Sequence, residues 1–203
     1  MKIICIGRNY VEHISELNNE TPQEPVLFLK PDTALMGREQ DFVIPDFSDE
    51  IHYEAEIVVK INKVGKYIDE KFASRYYDLI SLGIDFTARD LQTDLKAKGL
   101  PWEKAKAFDN SAAVGNFLPK ENWQSLRQID FALDINEQRV QSGNTQQMIW
   151  NIDQIVAYAS RFFTLKTGDL IFTGTPAGVG KVYPDDLLEG YIGEERVLTI
   201  QVK

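Results

Sequence analysis

One strand-like run, residues 52–61, constrains this chain more than any other feature. It is rich in isoleucine and valine, yet it carries two glutamates, Glu54 and Glu56. Because side chains alternate across a β-strand, both carboxylates share one face, while Ala55 and Ile57 face a core on the other. Two carboxylates about 6–7 Å apart along the backbone repel each other and lose hydration unless a cation lies between them. The alternative is an exposed strand face with two solvated glutamates.

A third carboxylate, Asp85, lies near the end of the extended segment 81–86, just before a predicted helix. Three oxygen ligands from two elements, with the other positions left to water or substrate, suit Mg²⁺ or Mn²⁺. The sequence has 2 histidines and 1 cysteine, so no Cys/His cluster points to structural zinc. The alternative for Asp85 is a simple helix cap.

Two basic residues follow these carboxylates. A helix is predicted over residues 87–98, with Thr87 as its cap. On this helix Arg89 and Gln92 share the face of Asp85, because they follow it by four and seven positions. A substrate carboxylate fits Arg89 as a bidentate fork and Lys106 as a point charge. In isolation, either residue is more typical of a solvated surface.

His13 and Glu16 lie one turn apart in a short helix predicted over residues 10–17. A carboxylate at this spacing orients the imidazole and stabilises its protonated form, as in a general base. The alternative is an exposed helical His–Glu pair. The second histidine, His52, shares the face of the strand glutamates and is interpreted as a supporting group rather than a ligand.

Length and charge limit the class of protein. A chain of 203 residues suits one domain, 1–203, and 31 acidic against 22 basic residues give a net charge of −9, which argues against a nucleic-acid partner. No apolar run approaches the roughly 18 residues that span a bilayer, and the first residues lack the pattern of a signal peptide. Cys5, the sole cysteine, lies in an apolar run and favours a reducing, cytoplasmic compartment.

The remaining patterns predict a β-rich α+β domain with short helices on the outside. The expected strands are residues 2–6, 26–30, 170–172 and 196–202, with a hairpin over 131–141 and helices over 69–79 and 146–163. The glycine-rich loop 173–180 does not match a nucleotide-binding loop, because Val182 stands where serine or threonine is required. Its backbone N–H groups and Thr175 can still approach an anion.

Six motifs follow one another along the chain: Arg8-Asn9-Tyr10-x-x-His13-x-x-Glu16, Phe28-Leu29-Lys30-Pro31, His52-Tyr53-Glu54-Ala55-Glu56, Asp85-Phe86-Thr87-Ala88-Arg89-Asp90-Leu91-Gln92, Lys106-Ala107-Phe108-Asp109 and the loop 173–180. In this order they resemble the fumarylacetoacetate hydrolase superfamily, in its short acylpyruvase and oxaloacetate decarboxylase type. The resemblance runs from Ile6 to near the C-terminus. It implies a mixed β-roll or barrel-like fold and a homodimer.

The resemblance also implies a set of site residues. It implies Mg²⁺ or Mn²⁺ on the three carboxylates Glu54, Glu56 and Asp85. It implies catalytic roles for His13, Glu16 and Lys106, with the His13–Glu16 pair on a segment that orders over the bound substrate. Substrate contacts are expected from Arg8, Lys30, Arg89, Gln92 and Thr175.

The implied activity is metal-dependent hydrolysis of a C–C bond in small 2-oxo acids, such as acetylpyruvate or fumarylpyruvate, through a pyruvate enolate. An oxaloacetate decarboxylase and an isomerase or dehydratase use a similar enolate and stay open as alternatives. A silent protein that binds metal or oxo acid is the non-enzymatic alternative. The chain departs from the family pattern at two places. Tyr53 stands where relatives often carry a second histidine, and residues 111–114 replace a proline-containing stretch. Both departures concern substrate preference.

Overall fold

The computed structural model describes residues 1–16, 20–37 and 39–203, so Leu17, at the end of the first predicted helix, lies outside the described residues. The strands are β1 (Ile3–Gly7), β2 (Val26–Lys30), β3 (Ile51–Tyr53), β4 (Ala55–Ile61), β5 (Tyr77–Asp85), β6 (Thr87–Ala88), β7 (Ala112–Val114), β8 (Leu118–Pro119), β9 (Asp130–Ile135), β10 (Gln138–Asn144), β11 (Leu170–Phe172), β12 (Gly180–Lys181), β13 (Leu187–Ile192) and β14 (Glu195–Gln201).

The helices are short: α1 (Val11–Glu16), α2 (Glu70–Ala73), α3 (Arg89–Ala97), α4 (Glu103–Lys106) and α5 (Ile152–Phe162). Among the described residues, 3₁₀ turns cover Asp32–Ala34, Ser74–Tyr76, Lys120–Asn122 and Thr145–Gln147. In the described ranges, no helix has the length and apolar character needed to cross a membrane.

The strands form three sheets. The largest has the order β2-β1-β11-β4-β5-β7, with β8 also paired to β5, and β1 and β11 are parallel while the other pairs are antiparallel. A second sheet has the order β10-β9-β13-β14, and a small third sheet has the order β12-β3-β6. The predicted β-rich α+β class is confirmed, but among the described strands no sheet closes into a barrel.

The two central strands of the large sheet, β4 and β5, are buried along most of their length. Their near-continuous apolar sequence is typical of strands that are covered on both faces. Gly83 permits this packing, because a Cβ atom there would lie 2.7 Å from the Ala113 carbonyl oxygen and 2.8 Å from Val58. The core therefore surrounds the strand that carries Glu56.

The strand predicted over residues 52–61 divides at Glu54. Ile51–Tyr53 pairs in the small sheet, whereas Ala55–Ile61 pairs in the large one. Glu54 therefore lies at the junction of two sheets, and its carbonyl oxygen accepts a hydrogen bond of 2.9 Å from the Asp85 N–H. The prediction of one continuous strand over residues 52–61 is therefore wrong at Glu54, because local β propensity does not show where the pairing partners of a strand change.

The helix predicted over residues 69–79 is wrong in its second half. Helix α2 ends at Ala73, and β5 begins at Tyr77, which pairs with Ile61 while Leu79 pairs with Lys60. Antiparallel pairing with β4 satisfies the backbone there and overrides the local helical pattern. The last helix, predicted over residues 146–163, begins later, at Ile152, where the Asn151 side chain caps it by accepting from Gln154 N–H.

Thr87 does not cap the third helix as predicted. Helix α3 begins at Arg89, and Thr87 instead pairs with His52 in the small sheet. The Thr87 hydroxyl donates to the Asp85 carbonyl oxygen at 3.3 Å and accepts from Lys106 Nζ at 2.6 Å. Thr87 therefore contributes to the carboxylate cluster rather than to the helix terminus.

Candidate active site

Three buried carboxylates meet where the small and large sheets join. Glu54 is 5% exposed, Glu56 1% and Asp85 0%, and one carboxylate oxygen from each lies within 4.8 Å of the others. Antiparallel pairing of β4 with β5 holds Glu56 opposite Gly83, two residues before Asp85. The exposed-face alternative for the strand glutamates is wrong, and so is the cap alternative for Asp85, because its carboxylate points into this cluster.

Lys106 binds two of these carboxylates from helix α4. Its Nζ lies 2.8 Å from Glu54 Oε2 and 2.7 Å from Asp85 Oδ2. Burial alone would lower the pKa of Lys106, but the charges of Asp85 and Glu54 raise it above its ordinary value. Lys106 is therefore a buried ammonium group inside the cluster, and not a solvated surface charge.

Arg89 holds Glu54 from the other side. Its Nη2 donates to Glu54 Oε1 at 2.5 Å, and its Nη1 donates to Gln92 Oε1 at 2.6 Å. Burial opposes ionisation of Glu54, yet Lys106 and Arg89 together hold its pKa below the usual range.

His52, interpreted as a supporting group, accepts from Arg89 Nε at 3.5 Å, and its Nε2 lies 3.2 Å from Glu50.

Lys30 lies behind the cluster, where it does not line the cavity. Its Nζ lies 2.7 Å from Asp85 Oδ1 and also donates to the carbonyl oxygens of Lys106 and Ser111. The side chain is fully buried, so the predicted contact between Lys30 and substrate does not fit this position. Lys30 instead supports Asp85 and helix α4 from inside the core.

Glu56 gives the clearest sign that the cluster suits a cation. Among the described residues it forms no ion pair, and its Oε2 accepts from Gly174 N–H at 2.6 Å. Burial, together with the charges of Asp85 and Glu54, holds the pKa of Glu56 well above its ordinary value. Asp85 Oδ1 accepts no hydrogen bond from a described residue and has the Lys30 ammonium 2.7 Å away as its ion-pair partner. Hard oxygen donors of this kind suit a divalent cation.

His13 faces the cavity, whereas its partner Glu16 is exposed to solvent. His13 is 6% exposed, and its Nδ1 lies 3.1 Å from Glu16 Oε2. Glu16 Oε1 accepts from Gly178 N–H at 3.0 Å, which links helix α1 to the glycine-rich loop. Since Glu16 holds Nδ1, Nε2 is the ring nitrogen left for a substrate.

These groups enclose a small cavity of about 40 Å³. Of the predicted site residues, those that line it are Arg8, His13, Glu54, Glu56, Asp85, Arg89, Gln92, Lys106 and Thr175. Arg8 reaches it from a left-handed backbone conformation with φ 59°, which is uncommon outside glycine and typical of constrained functional positions. Glu16 contributes through His13.

Sequence reasoning missed some residues of the site. Asn9, within the first motif, donates to the Thr173 carbonyl oxygen at 2.7 Å and accepts from Trp150 N–H at 2.8 Å, so it joins the segment before helix α1 to the glycine-rich loop. Phe28 and Trp102 line the cavity with rings 6.0 Å apart. Gln141 contacts Thr175 from the hairpin, and no sequence signal separates it from the exposed polar residues around it.

The cavity thus brings together three carboxylates, a histidine and the basic residues Arg8, Arg89, Lys96 and Lys106, as in metal-dependent enzymes that act on small anions. Residues 2–200 match the family model described as fumarylacetoacetate (FAA) hydrolase C-terminal. The chain belongs to this family, and the resemblance predicted from its six motifs is confirmed.

Two relatives and one solved structure show how similar the chain is to other members of this family. The chain is 41% identical over 189 residues to a mitochondrial oxaloacetate decarboxylase of Dictyostelium discoideum, a match that covers 93% of this chain and 87% of the relative. It is 40% identical over 188 residues to an oxaloacetate tautomerase of Escherichia coli, with coverage of 92% and 86%. A crystal structure of fumarylpyruvate hydrolase from Pseudomonas aeruginosa, with Mn²⁺ and pyruvate, matches with TM-score 0.92, 35% identity and coverage of 100% and 89%.

Proposed function

We propose that this chain is a divalent-metal-dependent oxaloacetate tautomerase, which interconverts the keto and enol forms of this 2-oxo acid. The observation that carries the proposal is the buried His13, paired with Glu16, which meets the three carboxylates and Lys106 at one small cavity. Tautomerisation requires a base near a group that stabilises an enolate, and the cavity offers both. The similarity to the Escherichia coli oxaloacetate tautomerase supports oxaloacetate as the substrate.

The metal would be held by Glu54, Glu56 and Asp85, and when bound it supplies Lewis-acid stabilisation of negative charge on the C2 oxygen of the substrate. Arg8, Arg89 and Thr175 line the cavity and are suited to bind the two substrate carboxylates. Mg²⁺ and Mn²⁺ are both compatible with this oxygen donor set.

His13 moves the proton in this proposal. Its Nε2 takes a proton from substrate C3, and Glu16, 3.1 Å from Nδ1, stabilises the imidazolium that forms. The electron pair of the broken C–H bond becomes the C2–C3 double bond, and the charge moves to the C2 oxygen. The imidazolium then returns the proton to that oxygen, so the enol leaves and His13 regains its neutral state.

Decarboxylation of oxaloacetate and hydrolysis of acylpyruvates are the second candidates. The Dictyostelium discoideum relative supports the first and the Pseudomonas aeruginosa structure supports the second. Loss of carbon dioxide needs no base, so it leaves the buried His13 and its partner Glu16 without a use. Hydrolysis needs this base to activate water, so its dependence on His13 resembles that of tautomerisation.

One panel of assays separates these reactions. Metal-loaded wild-type protein and His13→Ala are assayed for enol formation from oxaloacetate, for carbon dioxide release from oxaloacetate and for pyruvate release from acetylpyruvate. We expect tautomerisation to be the fastest reaction and His13→Ala to lower it by about 10²–10⁴-fold. Glu12→Gln is the control for helix α1, because Glu12 is exposed on the same helix. Wild-type tautomerisation by His13→Ala, or a wild-type protein that only releases carbon dioxide, would contradict the proposal.

The partner and compartment stay predictions. We expect a homodimer, which a measured mass of twice the 23.2 kDa chain would support. Relatives occur in a bacterium and in mitochondria, so the cytoplasmic location rests on the buried single Cys5.

A further inference from the structure

Gln141 is a buried polar residue of β10 with no role in the proton transfer proposed for His13. A β-bulge between Arg139 and Gln141 shifts the pairing of β10 with β9, so that Gln141 lies opposite Leu133. Bulges often re-aim a side chain beside an active site. Gln141 is 2% exposed, whereas Gln138 at the start of the same strand faces solvent. The hairpin therefore places the side-chain amide of Gln141 in the interior, next to the glycine-rich loop.

The partners of Gln141 fix which end of its amide is the oxygen. The Ala55 N–H can only donate, and Gln141 Oε1 accepts from it at 2.9 Å. The Pro176 carbonyl can only accept, and Gln141 Nε2 donates to it at 3.0 Å. The same Nε2 has a second hydrogen, which it donates to Thr175 Oγ1 at 2.9 Å.

The Thr175 hydroxyl is therefore an acceptor toward Gln141, and its own hydrogen is available in another direction. Thr175 is 3% exposed and lines the cavity. Within the part of the chain that the structure describes, the bond from Gln141 is the one hydrogen bond of this hydroxyl. A hydroxyl with this orientation favours an anionic acceptor, because hydrogen bonds to charged oxygens are the stronger ones.

We propose that Gln141 is a positioning residue that makes Thr175 a hydrogen-bond donor to a carboxylate oxygen of the bound 2-oxo acid. The same amide joins the loop 173–180 to Ala55, which lies between Glu54 and Glu56. Gln141 thereby sets the distance between the donor loop and the metal-binding carboxylates. The inference rests on the proposed function, since it assigns the partner of Thr175 to that substrate.

A double-mutant cycle tests this role. Oxalate, a stable dianion, is titrated calorimetrically in the presence of Mn²⁺ into wild type, Gln141→Met, Thr175→Val and the double variant, and KM and kcat are measured with oxaloacetate. We expect each single variant to lose about tenfold in oxalate affinity and to raise KM by a similar factor, with kcat changed less. The double variant should bind as weakly as Thr175→Val alone, because Gln141 acts through the hydroxyl.

Two further variants separate positioning from packing. Gln138→Met makes the same substitution on an exposed position of β10, so oxalate affinity should stay at the wild-type value. Gln141→Glu keeps an oxygen for the Ala55 N–H and places a second oxygen where Nε2 lies, so it serves if Gln141→Met does not fold. The introduced carboxylate would accept the Thr175 hydrogen, and the same tenfold loss is expected.

The outcomes distinguish the inference from the proposed function. Wild-type oxalate affinity in folded Gln141→Met or Gln141→Glu overturns the positioning role alone. Losses that multiply in the double variant also overturn it, because Gln141 would then act independently of Thr175. A wild-type protein that neither turns over oxaloacetate nor binds oxalate overturns both the proposed function and this inference.

Discussion

Glu56 illustrates how one residue can oppose folding and serve a site. Its carboxylate is buried beside Glu54 and Asp85, and it forms no ion pair in the described ranges. Lys106 and Arg89 compensate Glu54, and Lys30 and Lys106 compensate Asp85, so Glu56 is the carboxyl group of the cluster without a compensating cation among the described residues. Such local destabilisation is expected where a bound cation supplies the missing charge.

Glu56→Gln should therefore stabilise the metal-free protein and weaken its metal binding. Glutamine keeps an oxygen for the Gly174 N–H and removes a carboxyl group whose ionisation is opposed by burial and by the charges of Asp85 and Glu54. For a chain of this length, each 1 kcal/mol shifts the melting temperature by roughly 2–4 °C, so a rise of several degrees is expected in excess chelator. Glu121→Gln, on an exposed position, should leave it unchanged. A lower melting temperature of metal-free Glu56→Gln, or wild-type Mn²⁺ affinity, would show that Glu56 is compensated by other means.

The sequence could indicate Glu54, Glu56 and Asp85 because carboxylates in apolar strands are unusual enough to require a reason. It could not place Lys30, since a motif shows which residues accompany a site but not whether a side chain reaches the cavity or the core behind it. It could not indicate Gln141 either, because the inward turn of this residue depends on a bulge, and a bulge leaves no composition signal in a polar hairpin.

The element that ties the site together is the glycine-rich loop. Its Gly174 N–H binds Glu56, Thr175 lines the cavity, and its Gly178 N–H binds Glu16 on helix α1. The sequence predicted this loop as an approach for anions, and here its N–H groups bind two carboxylates of the protein itself. Gly178 adopts φ 96°, a left-handed conformation that glycine alone tolerates readily.

Gly178→Ala should lower activity as well as stability. An added Cβ would lie 2.5 Å from the Val140 carbonyl oxygen, so the loop must move and the N–H would leave Glu16. Gly168→Ala is the matched control, since Gly168 has φ 88° and open space around an added Cβ. It should cost about 1–2 kcal/mol in the free energy of unfolding with wild-type turnover, whereas Gly178→Ala should cost more and lose at least tenfold in kcat. If the two variants changed turnover equally, the hydrogen bond from the Gly178 N–H to Glu16 would have no role in the function of the His13–Glu16 pair.

Element boundaries show what local patterns omit. The hairpin over β9 and β10 was predicted because its partners are adjacent in sequence and its turn carries Asn136 and Glu137, both with positive φ. The division of the predicted strand at Glu54 depends instead on distant partners in β5, β6 and β12. Those long-range pairings decide the geometry of the site, and a sequence window contains no record of them.

At the scale of the whole molecule, the three carboxylates connect separate parts of the fold. Glu54 lies at the junction of the small and large sheets, Glu56 lies in β4, and Asp85 lies at the end of β5, which also pairs with β7. A cation shared by them would join both sheets through a few bonds. Local metal binding is therefore coupled to global unfolding, because the unfolded chain does not keep the three residues together.

Metal should raise the melting temperature of the whole protein by mass action. At a free concentration of 100 times Kd, binding to the folded state alone contributes about 2.7 kcal/mol, or roughly 5–11 °C for a chain of this length. We expect chelator-treated protein to show this rise with Mg²⁺ and with Mn²⁺, and Asp85→Asn to abolish it. Asp78→Asn is the matched control, since Asp78 is exposed on the same strand, and it should keep the full rise. A melting temperature independent of metal in the wild type, or an equal rise in Asp85→Asn, would remove the carboxylate cluster as the metal site.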